Sequence, residues 1–194
     1  VNNTKSEVKR ETEETKVSVN LNLYGSGNVS VSTQIPFLDH MLKSFGKHGG
    51  LDLKIKAKGD TEVGEHHTVE DVGITLGEAI KEAINRDEIK RFGNASVPMD
   101  EAICNASVDL GGRSYLVMQS PEGVVSGIST VLFKHFFRSV CENGDITLHL
   151  YVYGDDPHHF IEAAFKSFGR AFKEGLERSD IEGTPSTKGK VRRF

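Results

Sequence analysis

Hydrophobic positions along the chain follow two periods. Leu51, Leu53, Ile55 and Ala57 alternate with polar residues, as do Ile146, Leu148, Leu150 and Val152; period two predicts strands with one buried face. Val69, Val72, Leu76, Ala79, Ile80, Ala83 and Ile84 recur at helical spacing, as do Ile161, Ala164, Phe168, Ala171, Phe172, Gly175 and Leu176. Each set predicts an amphipathic helix of about five turns. The two helical stripes superpose at an offset of 92 residues and the two strands at 95, so the chain is internally repeated. Gly59-Asp60 falls on Gly154-Asp155 at the strand offset, and the three-residue change lies in the loop before each helix. Segment 37–42 falls on 132–137, and Val17 to Leu21 resembles Ala106 to Leu110.

This pattern predicts an α+β fold of two half-domains, residues 1–95 and 96–180, related by a pseudo-twofold axis. Each half is expected to be a small mixed β-sheet covered by two helices, in the order strand, strand, helix, strand, helix. Residues 181–194, rich in Gly, Thr, Ser and Lys, read as a C-terminal tail.

Composition narrows the class. With 194 residues, 37% of them hydrophobic, the chain can bury a substantial core. Its 24 basic and 28 acidic side chains leave a formal charge of −4, without the cationic field that binds nucleic acid. No run approaches the ~18 consecutive apolar residues of a membrane span, and Lys5 to Lys16 is charged where a secretory signal needs an apolar segment. A cytoplasmic protein with no membrane or nucleic-acid partner is expected. Cys104 and Cys141 are too few for a disulfide scaffold and read as reduced, buried thiols.

The histidines carry the chemistry. Two adjacent pairs, His66-His67 and His158-His159, open the two helices and are followed by Glu70 and Glu162 at the same spacing. Residues i and i+4 share a helix face, so His66 is expected beside Glu70 and His158 beside Glu162. The second histidine of each pair points about 100° away, toward a different ion. His40 and His135 are duplicated as well. The repeated set is His40, His66, His67, Glu70, His135, His158, His159 and Glu162. Divided evenly, it makes two sites of three imidazoles and one carboxylate, a donor set suited to Mn²⁺, Fe²⁺, Zn²⁺ or Ni²⁺. Apolar positions repeat because a core needs them; repetition of these eight has no packing rationale.

Other positions are read more simply. Asp71 is either a partner orienting an imidazole or a solvated first-turn acid. His48 and His149 are not duplicated and default to structural roles, His48 being the better placed for substrate. Arg91, Arg113 and Lys188 lie in glycine-bearing segments of the kind that bind phosphate.

Together, the motifs 10–15 (RETEET), 36–42 (PFLDHML), 66–72 (HHTVEDV), 109–113 (DLGGR), His158-His159 with Glu162 and Lys166, and 185–189 (PSTKG) resemble the imidazoleglycerol-phosphate dehydratase family over nearly the whole chain. That resemblance implies two Mn²⁺ ions per subunit, ligands drawn from neighbouring subunits, and a homo-oligomer of 24 chains. It implies dehydration of D-erythro-imidazoleglycerol phosphate to imidazole acetol phosphate in histidine biosynthesis. The substrate imidazole, held as a di-manganese-bound imidazolate, serves as the electron sink. The resemblance makes His40, His66, Glu70, His135, His159 and Glu162 catalytic, with Glu14 moving a proton or contacting the glycerol hydroxyls. His40, His48, His66, Arg91, Arg113, His158, Lys166, Ser186, Thr187 and Lys188 are the implied substrate contacts. Three departures, Gln34 where glycine is expected, Glu65 where aspartate often stands and a short segment before Arg91-Phe92-Gly93, affect loop geometry. A binuclear phosphate-ester hydrolase and a non-enzymatic, metal-assembled shell are the competing readings of the same donors.

Overall fold

The structure, a computed structural model, describes residues 4–179. The first half contains β1 (Lys5–Glu11), β2 (Thr15–Asn22), β3 (Val29–Ser32), α1 (Pro36–Gly49), β4 (Asp52–Gly59) and α2 (His66–Ala83). The second contains β5 (Phe92–Met99), β6 (Ala102–Asp109), β7 (Tyr115–Gln119), the short β8 (Val124–Val125) and β9 (Ile128–Ser129), α3 (Val131–Gly144), β10 (Thr147–Tyr153) and α4 (Pro157–Gly175). Two mixed four-stranded sheets result, ordered β1-β2-β4-β3 and β5-β6-β10-β7, each with one parallel pair, β3 with β4 and β7 with β10. The duplicated α+β architecture is as the sequence predicts.

Alternating burial along β2 and β6 leaves one face of each sheet polar and turns the other to the helices. α2 packs on β1, β2 and β4, and α4 on β5, β6 and β10. The helices then meet across the halves, α1 against α4 and α2 against α3. Exchanging the halves maps one helix pair onto the other, which defines the pseudo-twofold. Phenylalanines fill the space between: Phe45 stacks on Phe168 at 4.8 Å, and Phe137 lies 4.7 Å from Phe165. Stacked and tilted arrangements of this kind add to simple burial.

Glycine sets the separation of the helices at both crossings. A Cβ at Gly169 would lie 2.7 Å from the Phe45 carbonyl oxygen, and one at Gly77 would lie 2.8 Å from that of Val140. These two positions are 92 residues apart, so the close approach is itself duplicated.

Three predictions need correction. Each half has three strands of its four-stranded sheet before its first helix, the second half adding the β8–β9 hairpin, because the edge strands β3 and β7 are short and carry little periodic signal. The boundary at residue 95 falls inside β5, which begins at Phe92. The early strands also align differently. Val19 pairs with Ile55, and Ala106 pairs with Leu150, the counterpart of Ile55, so β2 maps onto β6 at an offset of 87. The sequence alignment of Val17 with Ala106 is two residues out. A slip of two keeps every side chain on its own face, which is why alternation could not expose it. The same offset maps Val8 onto Ala95 and Val31 onto Met118. The change from 87 to 95 falls in segment 120–130, where the β8–β9 hairpin has no counterpart in the first half.

Candidate functional site

Local chemistry fixes where each helix starts. Pro36 opens α1 with its φ preset, and Asp39 reaches back to accept hydrogen bonds from the Thr33 backbone N–H (2.8 Å) and hydroxyl (2.6 Å). That tether holds His40 at the first turn. α4 begins with Pro157 behind an Asp156 cap, whose carboxylate accepts from the backbone N–H groups of His158 (2.7 Å) and His159 (3.4 Å).

At the α1–α4 crossing, His40 Nε2 and His158 Nε2 converge on Glu162 Oε2, at 3.4 and 3.1 Å. These three donors lie within 4.8 Å of one another, a grouping able to hold a metal ion. Glu162 is buried, and its other oxygen accepts a 2.9 Å ion pair from Lys166, whose ammonium also rests 3.2 Å from Met99 Sδ. Burial pushes the Glu162 carboxyl up, but the hydrogen bond and charge of Lys166, followed by His40, outweigh it and hold the pKa below the ordinary value.

The α2–α3 crossing carries the corresponding side chains more loosely, outside that 4.8 Å convergence; the second such grouping among the described residues is Glu14, Asp60 and His67. His66 Nε2 lies 3.4 Å from Glu70 Oε2, and the His135 ring sits 5.6 Å from that of His66. Each crossing therefore gathers two histidines and one glutamate, one histidine from one half and a histidine–glutamate pair from the other. The even division into three histidines and one glutamate is not met within a single chain. As the 100° rotation predicts, His67 and His159 turn elsewhere.

Their partners are carboxylates that the sequence reading does not connect with them. His67 Nδ1 lies 3.1 and 3.2 Å from the two Asp60 oxygens and 3.6 Å from Glu14 Oε2. His159 Nδ1 meets Glu101 Oε2 at 2.7 Å, while its Nε2 is 3.6 Å from Asp100. Hydrogen bonds donated to Asp60 and Glu101 raise the pKa of the two imidazoles. Glu101 is driven down to about 2, first by the backbone N–H of Asp156 and then by His159. At the corrected offset of 87, Glu101 is the duplicate of Glu14; the two-residue misalignment concealed it.

Asp71 fits neither expectation. It is buried, accepts from Arg10 Nε at 2.9 Å and from the Thr15 hydroxyl, and makes no hydrogen bond to an imidazole. It ties α2 to the β1–β2 hairpin that carries Glu14. Arg91 is held by Asp109 through Nε (2.6 Å) and Nη2 (2.8 Å), against the burial that pushes the Asp109 carboxyl up. Its guanidinium is thus a fixed element of the DLGGR loop. Arg113 is exposed in the same loop. His48 is exposed in the last turn of α1, its pKa lowered by burial and then by Lys166 and Arg170. Ser186, Thr187 and Lys188 lie outside the described residues. Cys104 and Cys141 are free and buried, as expected.

A family model for imidazoleglycerol-phosphate dehydratase matches residues 33–172. The chain is 49% identical over 190 residues to the imidazoleglycerol-phosphate dehydratase of Acetivibrio thermocellus, covering 95% of this chain and 97% of that one. It is 49% identical over 191 residues to that of Methanosarcina mazei, with the same coverage. Among solved structures, the enzyme from Pyrococcus furiosus superposes with a TM-score of 0.81 at 34% identity, over 95% of this chain and all of that one. That from Staphylococcus aureus gives 0.80 at 33%, over 90% and 99%.

Proposed function

Because the chain belongs to the imidazoleglycerol-phosphate dehydratase family, hydro-lyases of histidine biosynthesis, we propose that it dehydrates D-erythro-imidazoleglycerol phosphate to imidazole acetol phosphate with two bound Mn²⁺ ions per subunit. The observation that carries this reading is the pair of pseudo-symmetric histidine–histidine–glutamate clusters at the two helix crossings. Imidazole nitrogens with one carboxylate oxygen are a borderline donor set of the kind such a cation takes. His40, His158 and Glu162 would hold one ion; His66, Glu70 and His135 would hold the other. When bound, a divalent cation supplies Lewis acidity that favours proton loss from a coordinated imidazole.

The chain's own groups supply position and proton transfer. Glu14 Oε2 stands 3.6 Å from His67, longer than a hydrogen bond, so its carboxylate is placed to accept a proton or a hydroxyl hydrogen bond. Arg113 and the Asp109-anchored Arg91 offer guanidinium donors to the phosphate, joined by Ser186, Thr187 and Lys188 of the tail. Lys166 balances Glu162, and His48 contacts the substrate. Binding the remote phosphate would orient the reacting carbons.

His67 and His159 complete the donor count from outside. Neither joins the cluster beside it, which supports ligands shared between neighbouring chains; the closed assembly of 24 subunits is what the family resemblance adds. In the cell this would be a cytoplasmic enzyme acting on a small phosphate ester; among the described residues no helix is long and apolar enough to cross a membrane.

Incubation of Mn²⁺-loaded protein with imidazoleglycerol phosphate should yield the enolisable ketone, and chelator-treated protein should not. Absence of ketone at saturating Mn²⁺ would remove the assignment, and release of inorganic phosphate in its place would point to hydrolysis.

A further inference from the structure

The geometry points to Glu101 as the positioning residue for His159, a role that its duplicate Glu14 has left to Asp60. This rests on the reading of His159 as a ligand to an ion shared with a neighbouring chain.

The Glu101 carboxylate is held at both oxygens. Oε1 accepts from the backbone N–H of Asp156 at 2.9 Å, and Oε2 accepts from His159 Nδ1 at 2.7 Å. It thereby joins the β5–β6 turn to the first turn of α4. With Nδ1 committed as a donor, the neutral ring keeps its proton there and presents the Nε2 lone pair for coordination. A carboxylate on the far nitrogen also makes an imidazole a better donor and fixes its plane.

In the other half, the equivalent imidazole is His67, and its Nδ1 is held by Asp60 at 3.1 and 3.2 Å. Glu14, the duplicate of Glu101, stays 3.6 Å away. Asp155, the duplicate of Asp60, makes no hydrogen bond to His159, whose Nδ1 is taken by Glu101. The halves therefore give the same task to different carboxylates. Where Asp60 performs it, Glu14 is released for chemistry; where no aspartate does, Glu101 is bound to the ring and removed from chemistry. This division gives one reactive glutamate per chain from a duplicated pair.

The test measures Mn²⁺ binding to the full chain by chelator competition, with the electron paramagnetic resonance signal of free Mn²⁺ as readout. Glu101→Ala should weaken one of the two Mn²⁺ equivalents by ~10–100-fold and leave the other unchanged. Glu101→Gln, whose single oxygen can serve Nδ1–H or the Asp156 N–H but not both, should recover part of that loss. Glu14→Gln should leave both equivalents at parental affinity. His159→Ala is the control. If it loses one equivalent while Glu101→Ala binds both as the parent does, the positioning role is wrong and the metal reading stands. If His159→Ala itself retains both equivalents, the metal reading of His159 fails and this inference fails with it. Weakened binding in Glu14→Gln equal to that in Glu101→Ala would overturn the division of labour.

Discussion

Adding one methyl group at Gly169 tests whether the helix crossing, more than the histidines alone, builds the His40–His158–Glu162 cluster. The new Cβ would lie 2.7 Å from the Phe45 carbonyl oxygen, 3.1 Å from the Gly49 nitrogen and 3.4 Å from His48 Cβ. Ordinary contact begins near 3.4 Å, so α1 must retreat by about 0.7 Å, and the obstructing atoms are backbone that no rotamer change can move. Alanine in place of mid-helix glycine gains about 1 kcal/mol of helix propensity. Overpacking costs about 1–3 kcal/mol. The net loss is about 1 kcal/mol, which for a domain of this size lowers Tm by roughly 2–4 °C. The larger effect falls on the site: His40 rides on α1 while Glu162 and His158 ride on α4, so the 3.4 Å His40–Glu162 separation opens. Mn²⁺ titration should show one equivalent weakened and the other intact, with melting compared at matched protein concentration because association shifts Tm. Gly77→Ala should produce the mirror result at the His66–Glu70–His135 cluster. If Gly169→Ala melts about as much higher as propensity alone allows and binds both equivalents normally, the crossing does not set the cluster.

Three other outcomes are expected. Asp109→Asn should lower stability at neutral pH by breaking the Arg91 ion pair. Because the folded Asp109 pKa lies below the ordinary 3.8, the paired state's advantage exists above 3.8 and fades as acid protonates the folded carboxylate. The difference in Tm between parent and variant should therefore hold from pH 7 to about 5 and close below about pH 4; a constant difference to pH 3 would contradict it. Cys104 and Cys141, buried and pushed up to about 12, should resist thiol reagents at pH 8 until the chain unfolds, when both react; prompt labelling of native protein would refute this. Complete chelation should reduce the assembly to smaller, inactive species by light scattering, since ligands shared between chains couple metal binding to association; unchanged mass after metal removal would oppose shared ligation.

The repeat was legible because its markers are periodic or chemically unusual. Helical stripes and histidine pairs survive any plausible alignment, and they placed α2, α4, β4 and β10 correctly. What stayed hidden depends on register or tertiary contact. An alternating strand aligns equally well after a slip of two, and that slip concealed the Glu14–Glu101 correspondence and with it the partner of His159. Asp60 enters the sequence reading only as part of the repeated Gly-Asp pair, since the hydrogen bonds it accepts from His67 arise from the loop folding back over the helix start. Asp71 shows the converse: its position beside Glu70 suggested the site, yet its carboxylate faces Arg10 and Thr15. Gln34 was flagged as standing where glycine is expected, and its φ of 68° gives the reason. Left-handed backbone favours glycine, and here the side chain compensates by accepting from the Gly59 N–H at 2.9 Å.

Because each cluster joins helices from opposite halves, neither half could assemble one in isolation. A free fragment ending near residue 90 would carry His40 without Glu162, and His66 with Glu70 without His135. Two such fragments docked about a twofold axis would regain a pair of identical pockets. Building such a pocket across an interface is thus inherent in the half-length unit, and the covalent link between the halves turns an encounter between molecules into a fixed internal junction whose two ends are at liberty to specialise.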